Sequence, residues 1–284
     1  MAPGRRSAIR SDFGAVLYDR SSLLDAGLIA AVPLVLVGVF ALPAGVREAY
    51  VLDYTEPTLV TAYTAHFVHH AEAHLATNLA SYAVVVPTAY LLCLFADRRR
   101  LFRAAFVSFL AALPFGLSAL NLLFVRRAVT YGFSGVVMGY FGLLTLALFC
   151  YVEQQTGVDA GERHAPAMFF LGIAVIGAAV APVTSAGATV AVAALAVVGL
   201  YARGLIGAAD PLARLRSGFV GAPPGHLELC TVGTLLFLGY PLIAFPADPF
   251  RGGAIINLYT HLLGYALGFI SAYAVQMLPG NGVD

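Results

Sequence analysis

Apolar runs of about 20 residues recur along this 284-residue chain, separated by shorter segments that carry most of its charge. At ~1.5 Å rise per residue, such a run crosses the ~30 Å hydrocarbon layer of a bilayer as a helix. The pattern predicts eight spans, over residues 23–42, 69–96, 101–124, 134–152, 167–184, 187–208, 229–246 and 259–277. The stretch 167–208 is too long for a single crossing, and Pro182-Val183-Thr184-Ser185-Ala186-Gly187 supplies a turn near its middle. Two crossings fit it.

The arginines test that count separately, since all sixteen basic residues are arginine. With the amino terminus inside, Arg5, Arg6, Arg10, Arg20, Arg98, Arg99, Arg100, Arg103, Arg163, Arg203, Arg214 and Arg216 fall in cytoplasmic segments. Arg47, Arg126, Arg127 and Arg251 fall outside. This asymmetry follows the positive-inside rule and predicts both termini cytoplasmic, in a multi-pass protein of the cell membrane. The organisation is then a cytoplasmic segment 1–22, a membrane domain 23–278 and a cytoplasmic tail 279–284.

Composition agrees. With 60% hydrophobic and 11% charged residues, and a mean hydropathy of +0.84, a soluble domain is excluded and an all-α polytopic membrane protein is expected. A net charge of +1 gives no reason to expect nucleic acid as a partner. Cys93, Cys150 and Cys230 lie in apolar spans without ligand spacing, so they read as packing residues, and no metal or cofactor is expected from them. Residues 1–22 hold no short apolar core with a cleavage site, so no cleavable signal peptide is expected.

Two outer segments stand apart. Residues 43–68 mix Arg47, Glu48, Asp53 and Glu56 with aromatic and apolar residues, as a loop lying in the membrane interface would. Residues 125–133 turn neutral after Arg127, a pattern that suits a chain dipping back towards the membrane.

Chemistry concentrates at three span starts. Ser134, in Tyr131-Gly132-Phe133-Ser134-Gly135, begins the fourth span; His261 begins the eighth; His74 and Asn78 lie near the start of the second. All are even-numbered spans entered from outside, so the four residues share a depth near the outer leaflet. Gly135, Gly139 and Gly142 share one face of the fourth span, and Gly264 and Gly268 follow on the face of His261. Small faces let helices approach closely in lipid, which would bring the serine to the histidine that a hydroxyl nucleophile needs as a base. His74 and Asn78, one turn apart, are candidate oxyanion donors, with the backbone N–H of Ser134 as a further one. Glu72 faces away from His74, so a Ser–His dyad is the reading rather than a triad.

Each feature also has a plain structural account. Glycine and serine serve helix packing, and a His–Asn pair serves as an inter-helix hydrogen bond. A histidine stripe of His66, His69, His70 and His74 with Glu72 would instead make a metal-binding membrane protein, although His70-Ala71-Glu72-Ala73-His74 is not a His-Glu-x-x-His motif. What the plain accounts leave unexplained is the shared depth.

Those residues resemble the rhomboid family of intramembrane serine proteases. His74-Leu75-Ala76-Thr77-Asn78 looks like its His-x-x-x-Asn. Gly132-Phe133-Ser134-Gly135-Val136-Val137-Met138-Gly139-Tyr140-Phe141-Gly142 looks like its Gly-x-Ser-Gly-x-x-x-Gly-x-x-Gly. His261-Leu262-Leu263-Gly264-Tyr265-Ala266-Leu267-Gly268 looks like its His-x-x-Gly-x-x-x-Gly. The resemblance covers about residues 20–152 and 229–278. It implies a six-helix core carrying an inserted hairpin at 167–208, with Ser134 as nucleophile and His261 as base and acid. It makes His74 and Asn78 oxyanion donors and His69 a supporting histidine near the cavity mouth. The implied activity is endopeptidase cleavage of membrane-protein transmembrane segments near the outer leaflet, without a cofactor, with single-pass or other membrane proteins as substrates. Three departures accompany it: the extra hairpin, Met138 where an aromatic residue often packs on the histidine, and Arg47 without a tryptophan partner. A non-enzymatic binding or trafficking protein on the same scaffold is the alternative.

Overall fold

The computed structural model describes residues 12–124, 127–157, 161–203, 219–220, 222–251 and 254–278. Arg5, Arg6, Arg10, Arg126, Arg214, Arg216 and the tail 279–284 lie outside them.

Helix formation follows the apolar runs, and local caps set the ends. Ser22 accepts the Leu24 N–H and opens α2 (Leu23–Phe40), while α1 (Phe13–Arg20) precedes it behind an Asp12 cap. After α2 come two short helices, α3 (Ala44–Glu48) and α4 (Leu59–Thr64), and a 3-10 turn at Ala65–Phe67. The remaining helices are α5 (Glu72–Phe95), α6 (Arg99–Leu122), α7 (Ser134–Thr156), α8 (Pro166–Val180), α9 (Ser185–Arg203), α10 (His226–Ala244) and α11 (Leu258–Met277). Gly157, with φ of 62°, ends α7 in the left-handed region that favours glycine.

Eight helices among the described residues are long and apolar enough to span a membrane: α2 and α5 to α11, with α8 counted from the 3-10 turn at Glu162–His164. The chain is an all-α polytopic membrane protein. Its strands are two-residue pieces. β1 (Leu52–Asp53) pairs antiparallel with β2 (Val129–Thr130), tying the loop after α3 to the segment before Ser134. β3 (Phe250–Arg251) pairs with β4 (Ala254–Ile255) before α11.

Helix α7 is the centre, with 89% of its span buried against 17% for α2 and 11% for α9. Its glycines make the closest packing. A methyl on Gly264 would fall on the Gly135 carbonyl, one on Gly268 on the Gly139 carbonyl, and one on Gly142 on the backbone of Tyr265 and Phe269. Only helices without side chains on these faces approach so far. The residues 166–203 form a hairpin whose two helices meet at Gly177, Gly187 and Ala191. Its first helix reaches the core through Phe169, stacked on Tyr265 at 5.2 Å, while its second faces outwards.

Several predicted limits shift. The second helix begins at Glu72 rather than residue 69, because Ala71 is extended (φ −112°, ψ 137°) and 65–67 is a 3-10 turn. The four-residue recurrence of His66, His70 and His74 is therefore not one helical face. The seventh span starts three residues early, at His226, where Glu228 caps the Gly225 N–H. The fifth ends at Val180 and the sixth begins at Ser185. Before the first span, α1 packs on the bundle: Phe13 stacks on Phe95 at 4.2 Å.

Candidate active site

Because the spans alternate in direction, the starts of α5, α7 and α11 lie at one end of the bundle together with the end of α6. Ser134 is the first residue of α7, and the turn before it is forced by Gly132, whose φ of 112° favours glycine. Gly132 N–H donates to Ala65 O at 3.0 Å, which pins the turn to the 3-10 segment.

Ser134 Oγ lies 2.8 Å from His261 Nε2. The other ring nitrogen, Nδ1, is 2.8 Å from the carbonyl of Ala244. A carbonyl only accepts, so Nδ1 carries the proton and Nε2 is left as the acceptor of the serine hydroxyl. That tautomer is the one a general base requires. The histidine is 7% exposed, and its partner on the far side is a neutral backbone group rather than a carboxylate. Phe245, directly after Ala244, meets the imidazole edge to face at 5.9 Å. The aromatic contact thus comes from the end of α10, while Met138 is buried in the core.

His74 stands against the turn. A methyl on Gly132 would meet its Cε1 at 2.6 Å and its Nε2 at 2.8 Å, so glycine is required there for space as well as for φ. Asn78 is buried one turn on, and its amide donates to the His74 carbonyl at 3.0 Å. His69 packs on His74 with ring centres 4.9 Å apart. It lies just before α5, with Nδ1 3.3 Å from Phe67 O and Nε2 3.4 Å from the Phe133 N–H. Burial, with His74 beside it, lowers its pKa to about 3, so it stays neutral and supports the turn as an acceptor. Arg47 reaches the same segment by donating from Nη1 to the His69 carbonyl.

A second polar network holds the start of α11. Asn121 donates from Nδ2 to Thr260 Oγ1 at 2.8 Å and accepts at Oδ1 from Asn257 Nδ2 at 2.9 Å and from the Tyr54 hydroxyl at 3.3 Å. Asn257 caps α11 by accepting the Thr260 N–H. These residues fix the helix that carries His261, and the sequence reading missed them. An asparagine inside an apolar span was the available signal for Asn121; the Ala244 carbonyl has none.

The histidine stripe faces several ways. His66 Nε2 is 3.0 Å from Ser118 Oγ, which donates to Ala62 O at 2.6 Å. His69 is engaged with the turn as described, and His70 lies edge-on to Tyr131 at 4.6 Å. Comparison with known protein families, characterised proteins and solved structures finds no match to this chain.

Proposed function

We propose that the chain is an intramembrane serine endopeptidase of the rhomboid type, and that Ser134 and His261 are its catalytic dyad. The observation that carries this reading is the hydrogen bond of 2.8 Å from Ser134 Oγ to His261 Nε2, with Nδ1 committed to Ala244 O. A serine kept only for packing has no need of a histidine whose tautomer is set on its far side.

The chemistry follows from that geometry. The Ser134 hydroxyl gives its proton to Nε2 as its oxygen attacks a substrate carbonyl. Negative charge builds on the carbonyl oxygen, near the backbone N–H groups at the start of α7 and the side chains of His74 and Asn78. Asn78 would exchange its bond to the His74 carbonyl for one to the oxyanion. The imidazolium then protonates the leaving amine as the C–N bond breaks. Water repeats the sequence on the acyl-serine: Nε2 takes its proton, hydroxide attacks, and the proton returns to Ser134.

The arginine distribution supports a cell-membrane orientation with both termini cytoplasmic and the dyad near the outer leaflet. Substrates would be membrane proteins whose helices carry small or helix-weakening residues near that end, because a helical carbonyl is already bonded and must be freed. The loop 43–68 and α10 are the candidates for the entry side.

The test is cleavage of a single-span substrate in proteoliposomes, comparing wild type with Ser134→Ala and His261→Ala, with and without EDTA. Cleavage by wild type alone, unchanged by chelator, is expected. Cleavage that survives Ser134→Ala and disappears with EDTA would move the chemistry elsewhere.

A further inference from the structure

A cavity of about 550 Å³, within the size range of small-molecule sites, opens between α2, the loop after it, α4 and α6. It lies apart from Ser134 and His261, and its walls are almost wholly apolar. On α2 the lining residues Leu28, Ala31, Val32, Val35 and Val39 recur along one face and continue to Leu42. Phe106 and Leu110 of α6 line it as well. From Leu28 to Val39 the helix rises ~16 Å, against ~15 Å for half of the hydrocarbon layer. The groove thus runs the depth of one leaflet.

One charged side chain lines it, Arg47. Its guanidinium sits over the Phe40 ring at 4.7 Å and donates once, to the His69 carbonyl. Nε is buried without a hydrogen-bond partner, and among the described residues no carboxylate pairs with the group. An unneutralised guanidinium at the headgroup end of a leaflet-deep apolar groove describes a lipid with a negative headgroup.

We infer that this groove binds one acyl chain of an anionic phospholipid, whose phosphate pairs with Arg47. A guanidinium suits that role through its planar fork of donors. The walls also include Phe67 and Val68, next to His69, whose Nε2 accepts the Phe133 N–H. A bound chain would therefore brace the segment on which the Ser134 turn rests.

The experiment is native mass spectrometry of protein taken from bilayers holding equal phosphatidylglycerol and phosphatidylcholine. Wild type should retain one phospholipid, with phosphatidylglycerol preferred about 5-fold, the effect of one arginine near a membrane surface. Ala31→Phe fills the groove and should remove the lipid, whereas Val37→Phe, outside the lining on the same helix, should keep it. Arg47→Gln should keep a lipid but lose the preference. Equal retention of both lipids by wild type, or undiminished retention by Ala31→Phe, would overturn the proposal. Neither readout depends on proteolysis, so the site can fail while the dyad stands, and the reverse.

Discussion

The two ends of the bundle are built from different interactions. At one end Asp25, 1% exposed, is gripped by Arg99 at 2.7 Å and Arg103 at 2.6 Å and accepts the Tyr90 hydroxyl at 3.2 Å. Arg98–Glu162 and Arg20–Asp97 add ion pairs there. At the other end Ser134 and His261, the proposed dyad, are flanked by neutral hydrogen bonds: His261 with Ala244 O, Asn121 with Thr260 and Asn257, and His66 with Ser118. Fixed charges clamp the helices at the first end, whereas at the second a neutral carbonyl sets the His261 tautomer without adding charge beside it. On the proposed function, the contrast separates holding the fold from poising the reaction.

The largest expected effect falls on the end that carries Ser134 and His261 alone. Ser134→Ala or His261→Ala should lower turnover by roughly 10³-fold or more, with thermal unfolding in detergent little changed. If both variants unfold instead, the neutral end is structural and the contrast fails. Packing should come next. Gly268→Val drives a side chain into the Gly139 backbone and should cost about 3 kcal/mol, at the upper end for overpacking. Gly239→Ala, where nothing lies within 4 Å, should be close to neutral. Denaturation of the two variants in the same detergent measures the difference.

At the charged end, Asp25→Asn leaves two arginines without their shared carboxylate and should cost about 1–2 kcal/mol, since both arginines stay partly exposed to water. Cleavage per folded molecule should remain, so comparing active-site titre with total protein separates the two ends. His74→Ala should lower kcat by about 10²-fold if its side chain serves the oxyanion, with stability nearly kept. A change in KM alone would assign His74 to binding.

The smallest effect is a pH slope. Burial lowers the pKa of His66 to about 4, against an ordinary value of 6.5, so between these values the unfolded chain binds a proton that the folded chain refuses. Its contribution is complete above pH 6.5 and is lost as pH falls towards 4, at no more than ~1.4 kcal/mol per pH unit. Unfolding midpoints between pH 7 and 4.5 should fall, and less steeply in His66→Asn. An unchanged slope in that variant would assign the acid sensitivity to other groups, His69 among them.

How much of this was legible in the sequence depends on what wrote it. Apolar runs gave eight spans because bilayer thickness imposes a length, but helix ends are set by caps such as Ser22, Glu228 and Asn257, so limits moved by a few residues. The glycine spacing on α7 and α11 was readable because close approach excludes side chains. The alternation of spans was readable too, and it placed Ser134, His261 and His74 at a common end. Illegible were the contacts made by backbone: the Ala244 carbonyl that sets the histidine tautomer, and the Leu52–Thr130 pairing that joins two loops. Such partners carry no residue code. The tie from Tyr54 through Asn121 to Asn257 was hidden for another reason, since it joins residues far apart in the chain.

The most direct test of the central claim is labelling by a fluorophosphonate, which reacts with a serine only where a base has activated it. Wild-type protein in detergent is treated, digested, and the modified peptide identified by mass spectrometry. Label is expected on Ser134 and lost in His261→Ala, while Ser7, Ser81 and Ser185 stay unlabelled in both. Label absent from Ser134, or equal in wild type and His261→Ala, would contradict it.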